Sequence, residues 1–171
     1  MRVGIGYDIH RFNGRRPLTL GGVVVPFARG LAGHSDADVL LHAVADAIFG
    51  ALGEPDLGEQ FPSSDPRYRN AKSLIFLDAA RLAARRKGWA VGNVDATVIA
   101  DRPSLVGYKR KMSNSISRLL GVTPSQISVK AKTTEGFSPG KGGVAAHAVV
   151  LLKKDRGSRL GARGLRRRHS R

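Results

Sequence analysis

Residues 33 to 53 read G-H-S-D-A-D-V-L-L-H-A-V-A-D-A-I-F-G-A-L-G. Its run of Ala, Val, Leu and Ile residues predicts a helix over residues 36 to 52. Ser35 suits the N-cap of this helix, and Gly53 suits its end. Asp36 and Asp38 would then lie in the first turn, where the helix dipole favours negative charge.

The segments on either side of this helix have the patterns of strands and of two further helices. Because helices alternate only partly with strands, we expect an α+β two-layer sandwich, with one mixed sheet, helices on one face and a ferredoxin-like elaboration. The other face of such a sheet would meet solvent or another subunit. The predicted strands cover residues 2 to 9, 19 to 26 (with a turn or bulge at Gly21-Gly22), 89 to 100, 127 to 132 and 144 to 152; the predicted helices cover residues 70 to 87 and a segment with Pro103 in its first turn and its end near Leu120.

The length and composition indicate one domain over residues 1 to 153 and a disordered basic tail over residues 154 to 171. There is no cysteine, so disulfides and thiolate metal sites are excluded. No apolar run is long enough to cross a membrane, and the amino terminus resembles neither a signal peptide nor a transit peptide. We therefore expect a cytoplasmic protein, or one in a plastid-like compartment if the source is eukaryotic.

The formal net charge is +16, and half of it lies in residues 153 to 171, which hold two Lys, seven Arg and one Asp. Such a tail can attract nucleic acid or an anionic membrane without specificity, or it can serve only solubility. The basic body is compatible with an anionic substrate. Aromatic residues make up only 6% of the chain, which argues against a surface that stacks bases.

The stretch G-Y-D-I-H-R-F, residues 6 to 12, places Asp8 and His10 on one face of the first strand. Such a pair is more often an ordinary ion pair on a solvated strand. It can also supply two of the three protein ligands of an open zinc site. A third ligand is needed to decide between the two.

His42 is the candidate for the third ligand. Asp38, His42 and Asp46 are spaced four residues apart and lie along one stripe of the predicted helix, which can equally be its solvated face. Two histidines and one carboxylate form a suitable zinc shell with one position left for substrate. Asp38 or Asp46 is then a candidate hydrogen-bond acceptor for a metal-binding histidine.

Five motifs together resemble the 2-C-methyl-D-erythritol 2,4-cyclodiphosphate synthase family of the non-mevalonate isoprenoid pathway. Each motif alone is weak, but they follow one another in order over roughly residues 2 to 152. The motifs are G-Y-D-I-H-R-F at residue 6, G-H-S-D-A-D-V-L-L-H-A-V-A-D-A at residue 33, D-L-G-E-Q-F-P-S-S-D-P at residue 56, G-N-V-D-A-T-V-I-A-D-R-P at residue 92 and K-T-T-E-G-F at residue 132.

The resemblance implies a homotrimer with active sites between neighbouring subunits. It implies that 4-diphosphocytidyl-2-C-methyl-D-erythritol 2-phosphate, a cytidine diphosphate derivative, is cyclised with release of CMP. Asp8, His10 and His42 would hold Zn²⁺, and Glu135 would take Mg²⁺ or Mn²⁺ that bridges the phosphates. No membrane or nucleic-acid partner is expected.

The resemblance also implies roles for substrate-binding residues. His34 would act at the reacting diphosphate together with Ser35, and Thr133 would assist the transition state. A flexible loop over the methylerythritol moiety would comprise Asp56, Leu57, Gly58, Phe61, Pro62, Ser63, Ser64 and Asp65. A cytidine pocket donated by the adjacent subunit, with phosphate contacts nearby, would comprise Ala100, Asp101, Arg102, Pro103, Ser104, Leu105, Val106, Lys132, Thr134, Phe137 and Lys141.

The chain departs from the family pattern at two places. The family usually has Gly-Phe-Thr-Gly-Arg-Gly-Glu-Gly after Thr-Thr-Glu, whereas this chain has G-F-S-P-G-K-G-G. Lys141 is the nearest counterpart of the phosphate-binding arginine, and lysine does not reproduce a bidentate arginine. Ser104 replaces a common lysine near the cytidine diphosphate, and Arg102 is a candidate substitute.

Three other functions are compatible with parts of this pattern. A zinc hydrolase could use Asp8, His10 and His42 with a metal-bound water. The net charge suggests a nucleic-acid-binding module. The altered loop after Glu135 suggests a trimeric scaffold without activity.

Overall fold

The computed structural model describes residues 1–13, 16–136 and 142–155. These residues form a four-stranded sheet, a two-stranded hairpin and four helices. The elements in chain order are β1 (Arg2–Arg11), β2 (Leu18–Leu20), β3 (Val23–Val25), α1 (Val39–Leu52), α2 (Leu57–Gln60), α3 (Leu74–Arg86), β4 (Trp89–Ile99), α4 (Lys109–Leu120), β5 (Ile127–Lys132) and β6 (Gly143–Lys154), with 3₁₀ turns at Pro66–Tyr68 and Pro124–Gln126.

The main sheet has the strand order β1-β6-β4-β5. β6 is antiparallel to both of its neighbours, and β4 is parallel to β5, so the sheet is mixed. Helices α1, α3 and α4 pack on one face of this sheet, and the hydrophobic core lies between the two layers. The predicted α+β two-layer sandwich, with one mixed sheet and helices on one face, is confirmed.

Helix α1 packs unusually close to β1 because the strand carries glycine where it meets the helix. A Cβ atom at Gly4 would lie 2.0 Å from the carbonyl oxygen of Ala47, and one at Gly6 would lie 2.0 Å from that of Ala43. No side chain fits at either position, so the helix backbone rests directly on the strand backbone. This contact brings His42, one residue before Ala43, next to the strand positions that follow Gly6.

The predicted start of α1 is wrong. Its N-cap is Asp38, whose carboxylate accepts a hydrogen bond from the backbone N–H of Leu41, and not Ser35. The helix cannot extend further back because Ala37 has a φ of 60°, in the left-handed region. Asp36 and Asp38 therefore do not lie in the first turn. The predicted end at Gly53 is confirmed, because Gly53 has a φ of 68° and forms a left-handed cap.

Two other helices begin later than predicted. Helix α3 begins at Leu74 because Asn70 has a φ of 59° and the chain turns there. Helix α4 begins at Lys109, so Pro103 lies in the preceding loop and not in its first turn. The predicted loop over residues 54 to 66 contains the short helix α2.

The predicted strand over residues 19 to 26 is a hairpin. Gly21 and Gly22 form its turn with φ values of 61° and 73°, which explains why glycine occupies both positions. The other predicted strands match β1, β4, β5 and β6, with β1 and β6 longer than expected.

The proposed disordered tail lies almost wholly outside the described residues, which end at Asp155, and it stays a prediction. In the part of the chain that the structure describes, no helix has the length and apolar character needed to cross a membrane.

Candidate metal centre

Three side chains that are far apart in the sequence converge where β1 meets α1. Asp8 Oδ2 lies 2.8 Å from His10 Nε2 and 2.9 Å from His42 Nδ1. One ligand atom of each residue lies within 4.8 Å of the others, so these three residues could hold one metal ion. The predicted convergence of the two strand residues with the helical histidine is confirmed.

The hydrogen bond on the far side of His10 shows that the three groups suit a cation. His10 Nδ1 lies 2.6 Å from the carbonyl oxygen of Ala32, which can only accept, so this nitrogen carries the hydrogen. In the neutral imidazole the lone pair is then on Nε2 and faces the carboxylate of Asp8. A lone pair and an ionised carboxylate repel each other unless a proton or a metal ion lies between them. The donor set therefore fits a divalent cation such as zinc.

The electrostatics of the cluster agree with this arrangement. Burial raises the pKa of Asp8, but hydrogen bonds and positive charge from His10 and His42 outweigh it and hold that pKa far below its usual range. Burial lowers the pKa of His10, but the hydrogen bond and charge of Asp8 outweigh it, so the pKa is raised. Positive charge is therefore favoured beside Asp8.

Asp38 and Asp46 do not accept a hydrogen bond from a metal-binding histidine, and that interpretation is wrong. The carboxylate of Asp38 is fully buried and accepts hydrogen bonds from the backbone N–H groups of Gly21, Gly22 and Leu41. Asp46 Oδ1 accepts a hydrogen bond of 2.7 Å from the backbone N–H of Leu57. Burial and, to a smaller extent, the charges of nearby carboxylates raise the pKa of Asp46.

A cavity of about 400 Å³ opens beside the three candidate ligands. One wall is aromatic, because the ring of Phe76 lies 5.0 Å from that of Phe61 and 5.7 Å from that of His42. The cavity thus joins charged groups to an apolar wall, as small-molecule sites commonly do. Its lining residues are Asp8, His10, His34, Ser35, His42, Asp46, Asp56, Leu57, Gly58, Phe61, Ser63, Tyr68 and Phe76.

Most of the predicted loop over the substrate lines this cavity, but three of its residues do not. All eight loop residues are described by the structure, and the three that do not line the cavity are Pro62, Ser64 and Asp65. The carboxylate of Asp65 instead binds the guanidinium group of Arg67, whose hydrogen bonds lower the pKa of Asp65. Asp56 caps α2 by accepting a hydrogen bond from the backbone N–H of Glu59.

The predicted cytidine-binding residues form a second group at the ends of the parallel strands β4 and β5. The two segments are tied together because Asp101 accepts hydrogen bonds of 2.8 Å from both the N–H and the hydroxyl of Thr134. These bonds lower the pKa of Asp101. Ala100 and Leu105 are buried, so their side chains are not available to a ligand.

Of the described residues, none in this second group lines the cavity beside the metal ligands. Its exposed members are Asp101, Arg102, Ser104, Val106, Lys132, Thr133 and Glu135, with Thr134 and Pro103 partly buried. Thr133 donates a hydrogen bond to Glu135. Phe137 and Lys141 lie outside the described residues.

Several residues of the site were missed by the sequence analysis. Tyr68 and Phe76 complete the aromatic wall, with their ring centroids 5.8 Å apart. Ser73 lies at the back of the site, where its Oγ is 2.8 Å from His42 Nε2. Ser73 and Phe76 lie within the predicted helix over residues 70 to 87, where a single serine or phenylalanine carries no sequence signal of such a role.

Known protein families and sequences include relatives of this chain. The model of the YgbB family matches residues 1–153. The chain belongs to the YgbB family. This YgbB-family chain is 51% identical over 156 residues to the 2-C-methyl-D-erythritol 2,4-cyclodiphosphate synthase of Geotalea daltonii, a match that covers 90% of this chain and 91% of the relative.

Solved structures of the same family have the same fold. A 2C-methyl-D-erythritol-2,4-cyclodiphosphate synthase in its CDP-bound form is 38% identical, with a TM-score of 0.83 over 89% of this chain and 100% of its own. The IspF protein of Plasmodium falciparum in complex with CDP is also 38% identical, with a TM-score of 0.78 over 90% of this chain and 96% of its own.

Proposed function

We propose that this YgbB-family chain is a 2-C-methyl-D-erythritol 2,4-cyclodiphosphate synthase. It converts 4-diphosphocytidyl-2-C-methyl-D-erythritol 2-phosphate into 2-C-methyl-D-erythritol 2,4-cyclodiphosphate and CMP, a phosphorus–oxygen lyase reaction of the non-mevalonate isoprenoid pathway. The observation that carries the proposal is the convergence of Asp8, His10 and His42 beside the cavity. Relatives named for this activity, two of them structures with CDP, supply the substrate class.

The reaction needs no nucleophile from the protein. An oxygen of the substrate's own 2-phosphate attacks the β-phosphorus, and the bond from that phosphorus to the bridging oxygen breaks, so CMP leaves with both bonding electrons. A phosphate monoester is already ionised at neutral pH, so no strong base is needed. The barrier comes from bringing two anions together, and holding them in place can contribute roughly 7–11 kcal/mol.

The side chains beside the cavity are suited to positioning phosphates. His34 is exposed at the cavity, and we assign it a hydrogen bond to the reacting diphosphate. Ser35 lies next to His34 at the cavity wall. Because its side chain is buried, its hydroxyl can reach a phosphate from one direction only. Zn²⁺ held by Asp8, His10 and His42, and Mg²⁺ or Mn²⁺ taken up with the phosphates at Glu135, would neutralise and polarise phosphate oxygens.

The segment from Asp56 to the aromatic wall is suited to the methylerythritol moiety. The exposed carboxylate of Asp56 and the backbone at Gly58 offer hydrogen bonds to hydroxyl groups, and Phe61 offers an apolar surface. Asp46 holds the first turn of α2 in place through its bond to Leu57 N.

The second group of residues is suited to the cytidine, but on a neighbouring subunit. Residues 100 to 106 and 132 to 135 are held together by the bonds between Asp101 and Thr134, yet they do not line the cavity beside the metal ligands of their own chain. Thr133 would assist the transition state, as the family resemblance implies. With Ser104 in place of a lysine, Arg102 and Lys132 are the exposed cations that the described part of this group offers to the diphosphate.

A homotrimer would supply such a neighbour and cover an apolar surface. The residues of β1 that point away from α1 are apolar and largely exposed, and Val149 of β6 extends the same face. Exposed contiguous apolar surface of this kind commonly marks an interaction site. The exposed fractions are 66% at Val3, 70% at Ile5, 48% at Tyr7, 60% at Ile9 and 44% at Val149.

The direct test is to incubate the purified chain with the cytidylylated substrate, Zn²⁺ and Mg²⁺ and to follow products by phosphorus NMR. We expect CMP and the cyclic diphosphate in equal amounts. His42→Ala should abolish both products and remove the tightly bound zinc. His169→Ala, which changes a histidine outside the matched residues 1–153, should leave turnover unchanged.

The alternatives give different results in the same experiment. A zinc hydrolase would release inorganic phosphate without CMP and without dependence on cytidine. A scaffold without activity would bind zinc and release nothing. Wild-type turnover by His42→Ala would refute the metal assignment.

A further inference from the structure

A chain of hydrogen bonds runs behind His42, away from the cavity. His42 Nε2 lies 2.8 Å from Ser73 Oγ, and the hydroxyl of Ser73 contacts Asp36 Oδ1. The same carboxylate oxygen accepts a hydrogen bond of 3.1 Å from the backbone N–H of Ser73. Ser73 is completely buried and His42 is nearly so, so these bonds do not compete with bulk water.

The direction of the hydrogens follows from the chemistry of the three groups. An ionised Asp36 can only accept, so the hydroxyl of Ser73 donates to it. The oxygen of Ser73 is then free to accept from His42 Nε2–H. A neutral His42 therefore presents the lone pair of Nδ1, the nitrogen that lies 2.9 Å from Asp8 Oδ2.

The position of Ser73 in its helix supports this assignment. Ser73 immediately precedes α3, where a serine commonly caps the helix through its hydroxyl, yet here the side chain makes no capping bond. Its hydroxyl is used by Asp36 and His42 instead. The hydroxyl of Ser35 is a poorer partner for the imidazole, because it lies 3.4 Å from His42 Nε2 and already accepts from the N–H of Ala37.

We infer that Asp36 and Ser73 are positioning residues that fix the tautomer and the ring orientation of His42 for metal binding. This inference rests on the metal role of Asp8, His10 and His42 in the proposed function. Ala32 does for His10 what Ser73 does for His42, since its carbonyl oxygen keeps the hydrogen on the outer ring nitrogen. Loss of such an outer hydrogen bond commonly weakens metal binding by about 10- to 100-fold.

Asp36 has a second consequence for the cavity. Because one carboxylate oxygen holds both the N–H and the hydroxyl of Ser73, it fixes the beginning of α3 beside α1. Phe76 follows within the first turn of α3, and its ring lies edge-on to His42 at 5.7 Å. The orientation of the metal ligand and the position of the aromatic wall therefore depend on the same carboxylate.

The test measures the zinc affinity of the full-length protein by competition with a chromophoric chelator at neutral pH. We expect Ser73→Ala to bind zinc about 10- to 100-fold more weakly than the wild type, and Asp36→Asn, which keeps the volume of the side chain, to show a smaller loss. The visible absorption spectrum of the Co²⁺-loaded protein should change in both variants, because the ring of His42 can rotate. A purely structural serine would not change that spectrum.

Ser117→Ala is the matched control. Ser117 is also buried, and its hydroxyl donates to the carbonyl oxygen of Asn114 in α4, away from the site. It should leave the affinity and the Co²⁺ spectrum unchanged. Circular dichroism of each variant establishes that it is folded, and Asp36→Asn provides the measurement if Ser73→Ala does not fold.

Two outcomes overturn the inference in distinguishable ways. If the wild type binds zinc but Ser73→Ala and Asp36→Asn bind it within about threefold of the wild type with unchanged Co²⁺ spectra, only the positioning role fails. If the wild type itself binds neither metal, the metal assignment of the proposed function fails, and the positioning role fails with it.

Discussion

The two faces of β1 differ sharply in their side chains. The face toward α1 carries Gly4, Gly6, Asp8 and His10, with two glycines too close to the helix for any side chain and two candidate metal ligands. The opposite face carries Val3, Ile5, Tyr7 and Ile9, which are apolar and exposed in the single chain. The strand thus reverses the usual rule that apolar residues point into the core.

The inner face of β1 therefore allows the backbone of α1 to approach closely, and it does not contribute large apolar side chains to the core. Gly4 and Gly6 let the backbone of α1 reach the strand, and that approach places His42 within reach of Asp8. The apolar residues of the strand are on the outer face, where they stay largely exposed in the described chain, although the ring of Tyr7 lies 4.6 Å from that of His147. We therefore connect the inner face with metal binding and the outer face with assembly.

The largest effect should follow from adding one methyl group to the inner face. In Gly6→Ala the new Cβ would lie 2.0 Å from the carbonyl oxygen of Ala43 and 2.7 Å from the N atom of Ala47. Both are backbone atoms, so α1 must move away from β1. We expect a loss of about 4 kcal/mol in the free energy of unfolding, measured by urea denaturation of the metal-free protein.

The matched change on the helix is Gly50→Ala. A Cβ there would meet only the carbonyl oxygen of Ile5, at 3.7 Å, which is an ordinary contact. Alanine is a better helix former than glycine, so this variant should be more stable by up to about 1 kcal/mol. Equal stability of Gly6→Ala and the wild type would show that the close approach is not needed.

The next effect concerns the start of α1, which sets where His42 lies along the inner face. Asp38→Ala removes the acceptor of three backbone N–H groups, those of Gly21, Gly22 and Leu41, in a fully buried place. We expect a loss of about 2 to 3 kcal/mol in the free energy of unfolding, because the N–H groups lose their partner without access to water. Urea denaturation measures this loss as well.

Ser35→Ala tests whether Asp38, and not the serine, is the cap. Ser35 accepts one hydrogen bond of 3.2 Å from Ala37 N, so its loss should cost about 1 kcal/mol or less. A larger loss for Ser35→Ala than for Asp38→Ala would contradict the cap assignment.

The difference between these two residues shows where sequence patterns stop being informative. Ser35, Asp36 and Asp38 all satisfy the rules for a helix start, and the rules cannot choose between them. The choice is made by the left-handed conformation of Ala37 and by the hairpin glycines that bond to Asp38, which are tertiary features. The end of α1 was predictable because Gly53 acts locally.

The candidate site divides in the same way. Asp8, His10 and His42 were predictable as a set because few residue types bind zinc without cysteine, and the spacing of Asp8 and His10 puts them on one face of a strand. Ser73 is separated from His42 by 31 residues and was not predictable, since its role depends on how α3 packs. The loop over residues 56 to 65 was recognised through the family resemblance, but which of its residues line the cavity depends on the bonds of Asp46 and Arg67.

A substitution on the outer face should have the smallest effect on the folding of the single chain. The same substitution should prevent assembly of the proposed trimer completely. Ile5 is 70% exposed and lies opposite Val149 of β6, so Ile5→Glu removes little buried apolar surface from the single chain, and circular dichroism should be unchanged. A charge on this face would be desolvated in a trimer, so light scattering should give the mass of one chain and not of three. Val24→Glu, at a 61% exposed valine of the hairpin, should leave the trimer intact.

The same variant separates the two proposed roles of β1. All three candidate metal ligands come from one chain, so monomeric Ile5→Glu should bind zinc as tightly as the wild type. It should release no CMP, because the neighbour that we propose to donate residues 100 to 106 to its site would be absent. If it stays trimeric with full turnover, the outer face is not the interface. If it is monomeric and fully active, the cytidine is held within one chain, and the position of the second residue group must be explained in another way.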